Sequence, residues 1–119
     1  MAKIRHSQVT YVKDDLTAHA KTDFLKLEQV LGDVIADNYL FMPALKFIGG
    51  TYKGTCKITA FNLISVAGDF VDSDGFFPSL VSVGGDFYGS GFYPKLKYVG
   101  GSIMSEDFKA PLLEQEEDE

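Results

Sequence analysis

The chain is poor in the residues that most often carry chemistry: 119 residues hold one cysteine, two histidines and four prolines. Each scarcity excludes something. Cys56 has no second thiol with which to form an internal disulfide, and a reducing cytoplasm is the expected compartment. His6 and His19 stand away from Cys56 along the chain, and no nucleophile-and-base constellation forms around them, so an enzyme is not expected. The bland reading is two exposed histidines and one small, buried or half-buried thiol. No apolar run approaches the roughly 20 residues of a membrane span, and Met1 to Arg5 has no apolar stretch behind it for a secretory signal. The glycine runs at 84–85 and 89–91 precede no lysine-serine pair and open no helix, which removes a phosphate loop.

Charge is also missing in one arrangement. Lys46, Lys53, Lys57, Lys95 and Lys97 are scattered and the balance is acidic, with net charge −6, so direct binding of DNA or RNA is not expected. Five of the 17 acids lie in residues 114–119; without them 12 acids face 11 bases. That run reads as a disordered, solubilising tail. The remainder, at this length, can bury about two-thirds of its unfolded surface and forms a core without staples.

What the chain has is a repeat. FPSLVSVGGDF at 77–87 is followed, after a short glycine-rich bridge, by YPKLKYVGGSI at 93–103. Aligned on the leucine, the phrase recurs at Leu27, Leu45, Leu63, Leu80 and Leu96, with Val9 before and Leu113 after, at spacings of 16 to 18. Three residues on stand Val12, Val30, Ile48, Val66, Val83 and Val99; seven on stand Leu16, Val34, Tyr52, Phe70, Phe87 and Ile103. Glycine falls five on, at Gly32, Gly50, Gly68, Gly85 and Gly101. All four prolines, Pro43, Pro78, Pro94 and Pro111, fall two before the leucine column.

A unit this short cannot bury its own apolar side, but stacked on its neighbours it can, each column becoming a ladder of like side chains. Proline marks one corner of the coil, and glycine another, where either a positive φ or close contact excludes Cβ. So few residues leave little room for a helix. The expected fold is mainly β, a short-period parallel β-solenoid of 16–18-residue units in one domain spanning 1–113. Its N-terminal cap, 1–26, is ambiguous. Lys3 to Lys13 alternates as an opening strand, while Leu16, Ala20, Phe24, Leu27, Leu31 and Ile35 also fit helical spacing behind Asp14 or Asp15. Leu16 and Phe24 occupy repeat columns too, so Asp15 to Lys26 stands as a cap, helical or extended. Further on, Lys53 to Thr59 reads as a strand of its own, and the following coils shorten, which predicts a taper toward the C-terminal end.

The L-x-x-V-x-G-x-apolar unit in FPSLVSVGGDF resembles the short leucine-rich-repeat-like units of receptor L domains and related bacterial and phage solenoids. The resemblance covers Leu27 to Leu113 and departs from the family in its short unit. It implies recognition of partners by exposed strand faces or turns, with no shared chemistry or cofactor.

Two features bear on binding. Asp15, Asp33, Asp69 and Asp86 share the column six after the leucine, interrupted by Thr51 and ended by Ser102. A carboxylate ladder can hold calcium, but an aspartate beside a turn glycine more often accepts backbone N–H groups, and that is the expectation; no metal is expected. Asp69, Asp72 and Asp74 lie in a loop too short to supply six oxygens. The other feature is aromatic. The column two after the leucine faces outward and includes Phe47 and Tyr98; Phe76, Tyr88 and Phe92 lie on the shortened side. These five are the candidate partner-binding residues of a non-catalytic protein-binding module. The competing reading has Phe76 and Phe92 folded inward to fill the taper. A second functional class is a small phage-type inhibitor of a host nucleic-acid-handling protein, acting partly by acidic charge mimicry. A homodimer through the edge of the last coil also remains open.

Overall fold

The computed structural model describes residues 9–55, 58–72, 76–104 and 108–113. Within them the chain winds as a β-solenoid in which every strand pairing is parallel. The first side is a six-stranded sheet of Tyr11–Val12, Gln29–Val30, Phe47–Ile48, Ser65–Val66, Ser82–Val83 and Tyr98–Val99, so about five turns separate its outer strands. The second side holds Leu16–Ala18, Val34–Ala36, Tyr52–Gly54, Phe70–Asp72 and Phe87–Tyr88. The third begins with Thr22–Asp23, Leu40–Phe41 and Ile58–Thr59, continues through a bridge from Thr59 to Phe76, and ends with Gly91–Phe92 beside Phe108–Lys109.

Backbone groups find their partners one row away, which is what makes such short strands stable. On the first side Glu28 N–H donates to the Thr10 carbonyl, Lys46 to Glu28 and Ile64 to Lys46, each at 2.9 Å. The proline corner is a β-turn. Leu45 N–H donates to the Met42 carbonyl at 3.3 Å, and Leu80, Leu96 and Leu113 repeat the bond to Phe77, Tyr93 and Ala110. Each proline is the second residue of its turn, where a φ near −65° is already the required value. Phe61 takes that place in the Ala60–Leu63 turn without a proline.

At the other corner the glycine is required by contact. None of the glycines at this corner has the left-handed φ that favours glycine, but a Cβ on Gly32, Gly50, Gly85 or Gly101 would overlap the carboxylate of Asp15, Asp33, Asp69 or Asp86 in the row before. Those carboxylates accept the backbone N–H of the equivalent residue in the next row. Asp33, Thr51, Asp86 and Ser102 donate to Asp15, Asp33, Asp69 and Asp86, all at 2.8 Å, and Asp69 N–H reaches the Thr51 hydroxyl at 3.3 Å. The ladder is a hydrogen-bonding device, as its place beside the turn glycines implies.

The leucine column is fully buried from Leu27 to Leu96, with Val30, Ile48, Val66 and Val83 beside it. One open alternative is settled and one expectation changes. Asp15 to Lys26 is extended where described: Leu16–Ala18 pairs in register with Val34–Ala36, and Thr22–Asp23 with Leu40–Phe41. Helical spacing at Leu16, Ala20 and Phe24 is overridden because a neighbouring row supplies hydrogen-bond partners that a helix would find within itself. There is no helix among the described residues. The segment from Lys53 to Thr59 is two strands, Tyr52–Gly54 and Ile58–Thr59, on different sides. Cys56, His6, the opening residues 3–8 and the acidic tail 114–119 lie outside the described residues.

Candidate functional site

The third side alternates like any strand, but over so short a distance that its outward residues crowd one strip. Leu40 and Met42 point inward and are fully buried, which turns Phe41 between them outward. Phe76 and Phe92 occupy the same column, four before the leucine, in later rows. Phe61, from the turn, fills the gap. Its ring meets Phe41 edge-on at 6.0 Å and 84°, and Phe76 edge-on at 5.9 Å and 83°. The row is open to solvent: Phe61 is 42%, Phe76 51% and Phe92 56% exposed. Beside it Lys21 lies over the Tyr39 ring at 5.6 Å, and these two with Asp23 and Phe41 line a shallow depression.

The five sequence candidates fall on three sides. Phe47 and Tyr98 share the first side but are separated by the Ser65 and Ser82 rows, and Phe47 is half-buried while Tyr98 is exposed. Tyr88 is exposed on the second side, next to Val71 in register. Phe76 and Phe92 share the third side, in successive rows. Both are more than half exposed, so neither fills the taper; their neighbours Phe77 and Tyr93 do, and are buried. Sequence reasoning missed Phe41 and Phe61. The available signal was the column four before the leucine, where Phe41, Phe76 and Phe92 each stand one residue from an outer turn.

Behind the second and third sides lies the one buried charge among the described residues. Asp72 is a loop residue by sequence, but it ends the strand Phe70–Asp72 and is 1% exposed. The Tyr52 hydroxyl donates to its Oδ1 at 3.1 Å. Burial, and next the charge of Asp72, push the Tyr52 phenol well above its ordinary range. Burial and Asp72 raise Tyr93 likewise, while a backbone hydrogen bond from Ser90 acts the other way. The buried carboxylate thus holds the Tyr52 hydroxyl in place.

Other polar groups do not converge. His19 Nδ1 and Asp37 Oδ2 form an exposed pair at 3.0 Å, in adjacent rows. Among the described residues no three histidine, cysteine, aspartate or glutamate side chains gather to hold a metal ion, and no helix is long and apolar enough to cross a membrane. Comparison with protein-family models, with characterised proteins and with solved structures returns no match, so the reading of this side rests on its own geometry.

Proposed function

We propose that the protein is a non-catalytic protein-binding module that docks a partner protein on the aromatic row of its third side. The observation that carries this reading is the edge-to-face chain Phe41–Phe61–Phe76, with Phe92 beyond it in the same column. Rings held by one another lose little freedom on docking and bring large apolar area to an interface. The parallel framework behind them is hydrogen-bonded from row to row, which supports the row in place without a partner. The likeness of the repeat to leucine-rich-repeat-like receptor modules supports recognition by a solenoid face, and the single cysteine supports a cytoplasmic setting.

The test is capture of partners from source or host lysate with wild-type protein, with Phe61→Ala/Phe76→Ala, and with Tyr98→Ala. A partner lost with the double variant and kept with Tyr98→Ala supports the row; one indifferent to the double variant rejects it. The alternative reading, an inhibitor that enters a nucleic-acid channel by acidic mimicry, rests on the charge of 114–119. It predicts capture that disappears at high salt and on removal of those six residues, because exposed charges are screened beyond about 8 Å at physiological ionic strength.

A further inference from the structure

The ends of the solenoid differ from its middle. Val30, Ile48, Val66 and Val83 are fully buried, whereas their column mates at the two ends, Val12 and Val99, are only partly so, as are Val9, Ile103, Ala110 and Leu113. The hydrogen bonds have a direction as well. On the first side N–H groups donate back toward the N-terminal row: Glu28 to Thr10, Leu31 to Val12, Lys97 to Val81 and Gly100 to Val83. Among the described residues no row precedes Thr10 and Lys13, and none follows Lys97 and Val99 on that side. On this side one end therefore presents backbone donors and the other backbone acceptors. On the second side Leu16, Val34 and Phe87 donate the opposite way, to Asp33, Thr51 and Ser102, so both ends carry donors and acceptors that match head to tail. At the aspartate corner Ser102 closes the ladder with a hydroxyl, the group by which Thr51 accepts from Asp69, and Asp15 opens it with its own N–H.

The two ends also match in side chains. Tyr11, Val12, Asp15 and Leu16 occupy in the first row the columns that Tyr98, Val99, Ser102 and Ile103 occupy in the last. Charge is divided between them in the sequence. Residues 1–13 hold Lys3, Arg5 and Lys13 and no acid, whereas 105–119 hold seven acids against Lys109 alone. The points where the terminal segments attach, Val9 and Leu113, lie at opposite ends of the solenoid but in the same column, so the segments leave from one corner. A single molecule holds these attachment points apart; a second molecule set on its end brings them together.

We propose that the chain stacks head to tail on a second copy of itself, the first row of one molecule adding to the last row of another as a further row of parallel strands. Lys97 and Val99 carbonyls receive the Thr10 and Lys13 N–H groups, Tyr11 lies over Tyr98, and Val12 over Val99. The contact is heterologous and does not close on itself, so it generates open rods. It uses the ends alone and is independent of the aromatic row.

Sedimentation velocity of the full chain over a wide concentration range tests it. The mass of wild-type protein should climb past that of a dimer of the 13.1-kDa chain as concentration rises. Tyr11→Asp/Tyr98→Asp places like charges at every junction and should leave a monomer; Tyr11→Lys/Tyr98→Asp places opposite charges there and should keep the rods. Both tyrosines are exposed, at 48% and 59%, and a wild-type far-UV circular dichroism spectrum confirms that each variant folds. Wild-type protein that stays monomeric throughout overturns the proposal. So does a discrete dimer that is broken by Tyr98→Asp and ignores Tyr11→Asp, because that pattern belongs to a two-fold contact between C-terminal ends.

Discussion

The N-terminal and C-terminal halves of the solenoid share one backbone frame and fill it with different matter. Up to Ile48 the interior is aliphatic apart from Phe24: Leu27, Val30, Val34, Ala36, Leu40, Met42 and Leu45 are all buried. From Tyr52 onward a stack of rings joins the aliphatic leucine and valine columns. Phe70 lies parallel to Phe87 at 5.3 Å and 5°, and near Tyr52 at 5.1 Å, while Phe77 and Tyr93 meet these rings edge-on at 5.0 to 5.9 Å. The switch follows coil length. Longer rows bring Leu40 and Ile58 inward from the third side, whereas the shorter row has Gly91 at that column, and Tyr93 supplies the lost volume. Small residues keep the balance: a Cβ on Gly54 would overlap the Tyr52 hydroxyl, and one on Gly89 would come within 2.6 Å of the Tyr93 hydroxyl and 2.8 Å of Phe87. Row volume is conserved by exchange between columns, as close packing demands.

The sharpest way to break this comparison is to truncate one column in both halves. Phe70→Ala should cost about 3–5 kcal/mol, because the ring touches four others and its neighbours cannot collapse into the space. Val34→Ala, in the same column, should cost about 2 kcal/mol for fewer methyl groups and a smaller cavity. Urea denaturation of the two variants measures the difference, and equal losses would mean that the ring stack contributes nothing beyond its size.

The glycine corner should behave alike in both halves, since the clash there is with the ladder common to them. Gly50→Ala and Gly85→Ala each displace an aspartate carboxylate and should each lose about 1–3 kcal/mol. Thermal melts that differ widely between the two would show that the frame is not shared after all.

A smaller effect isolates the polar element confined to the ring-filled half. Tyr52→Phe leaves Asp72 buried without the hydroxyl it accepts from, a loss of about 1–3 kcal/mol near neutral pH. The pH response has a definite sign. Tyr52 and Tyr93 are raised above the ordinary value of 10.0, so in alkali the unfolded chain gives up these protons before the folded one does. Their contribution is complete below pH 10 and is lost as pH rises above it. Stability of the wild type measured between neutral pH and alkali should fall more steeply above pH 10 than that of Tyr52→Phe, in which Tyr93 alone remains to titrate.

Much of the frame was readable because periodicity at 16 to 18 residues has one economical physical solution. The leucine, valine and glycine columns, the proline turns and the role of the aspartate ladder all follow from residue type and spacing. The extended state of Asp15 to Lys26 did not, since Leu16, Ala20 and Phe24 satisfy both periods and only the neighbouring row decides between them. Asp72 was misplaced for a related reason. Its column runs Ala18, Ala36, Gly54, Asp72 and Gly89, a mixture with no hydropathy signal, and the carboxylate is buried there where Tyr52 in the row before presents a hydroxyl.

The candidate binding face shows the same division. An outward position is legible from its place between inward ones, which is how Phe76 and Phe92 stand out in the sequence. Which outward positions converge is a matter of where the corners fall and how many residues each side holds. The chain alone determined the repeat, its columns and the shortening of its later rows, because these are properties of order along one strand. Tertiary structure decided that Phe41, Phe61 and Phe76 touch while Phe47 and Tyr98 do not, and that one carboxylate lies among rings, because contacts between rows depend on the pitch and the corners of the coil.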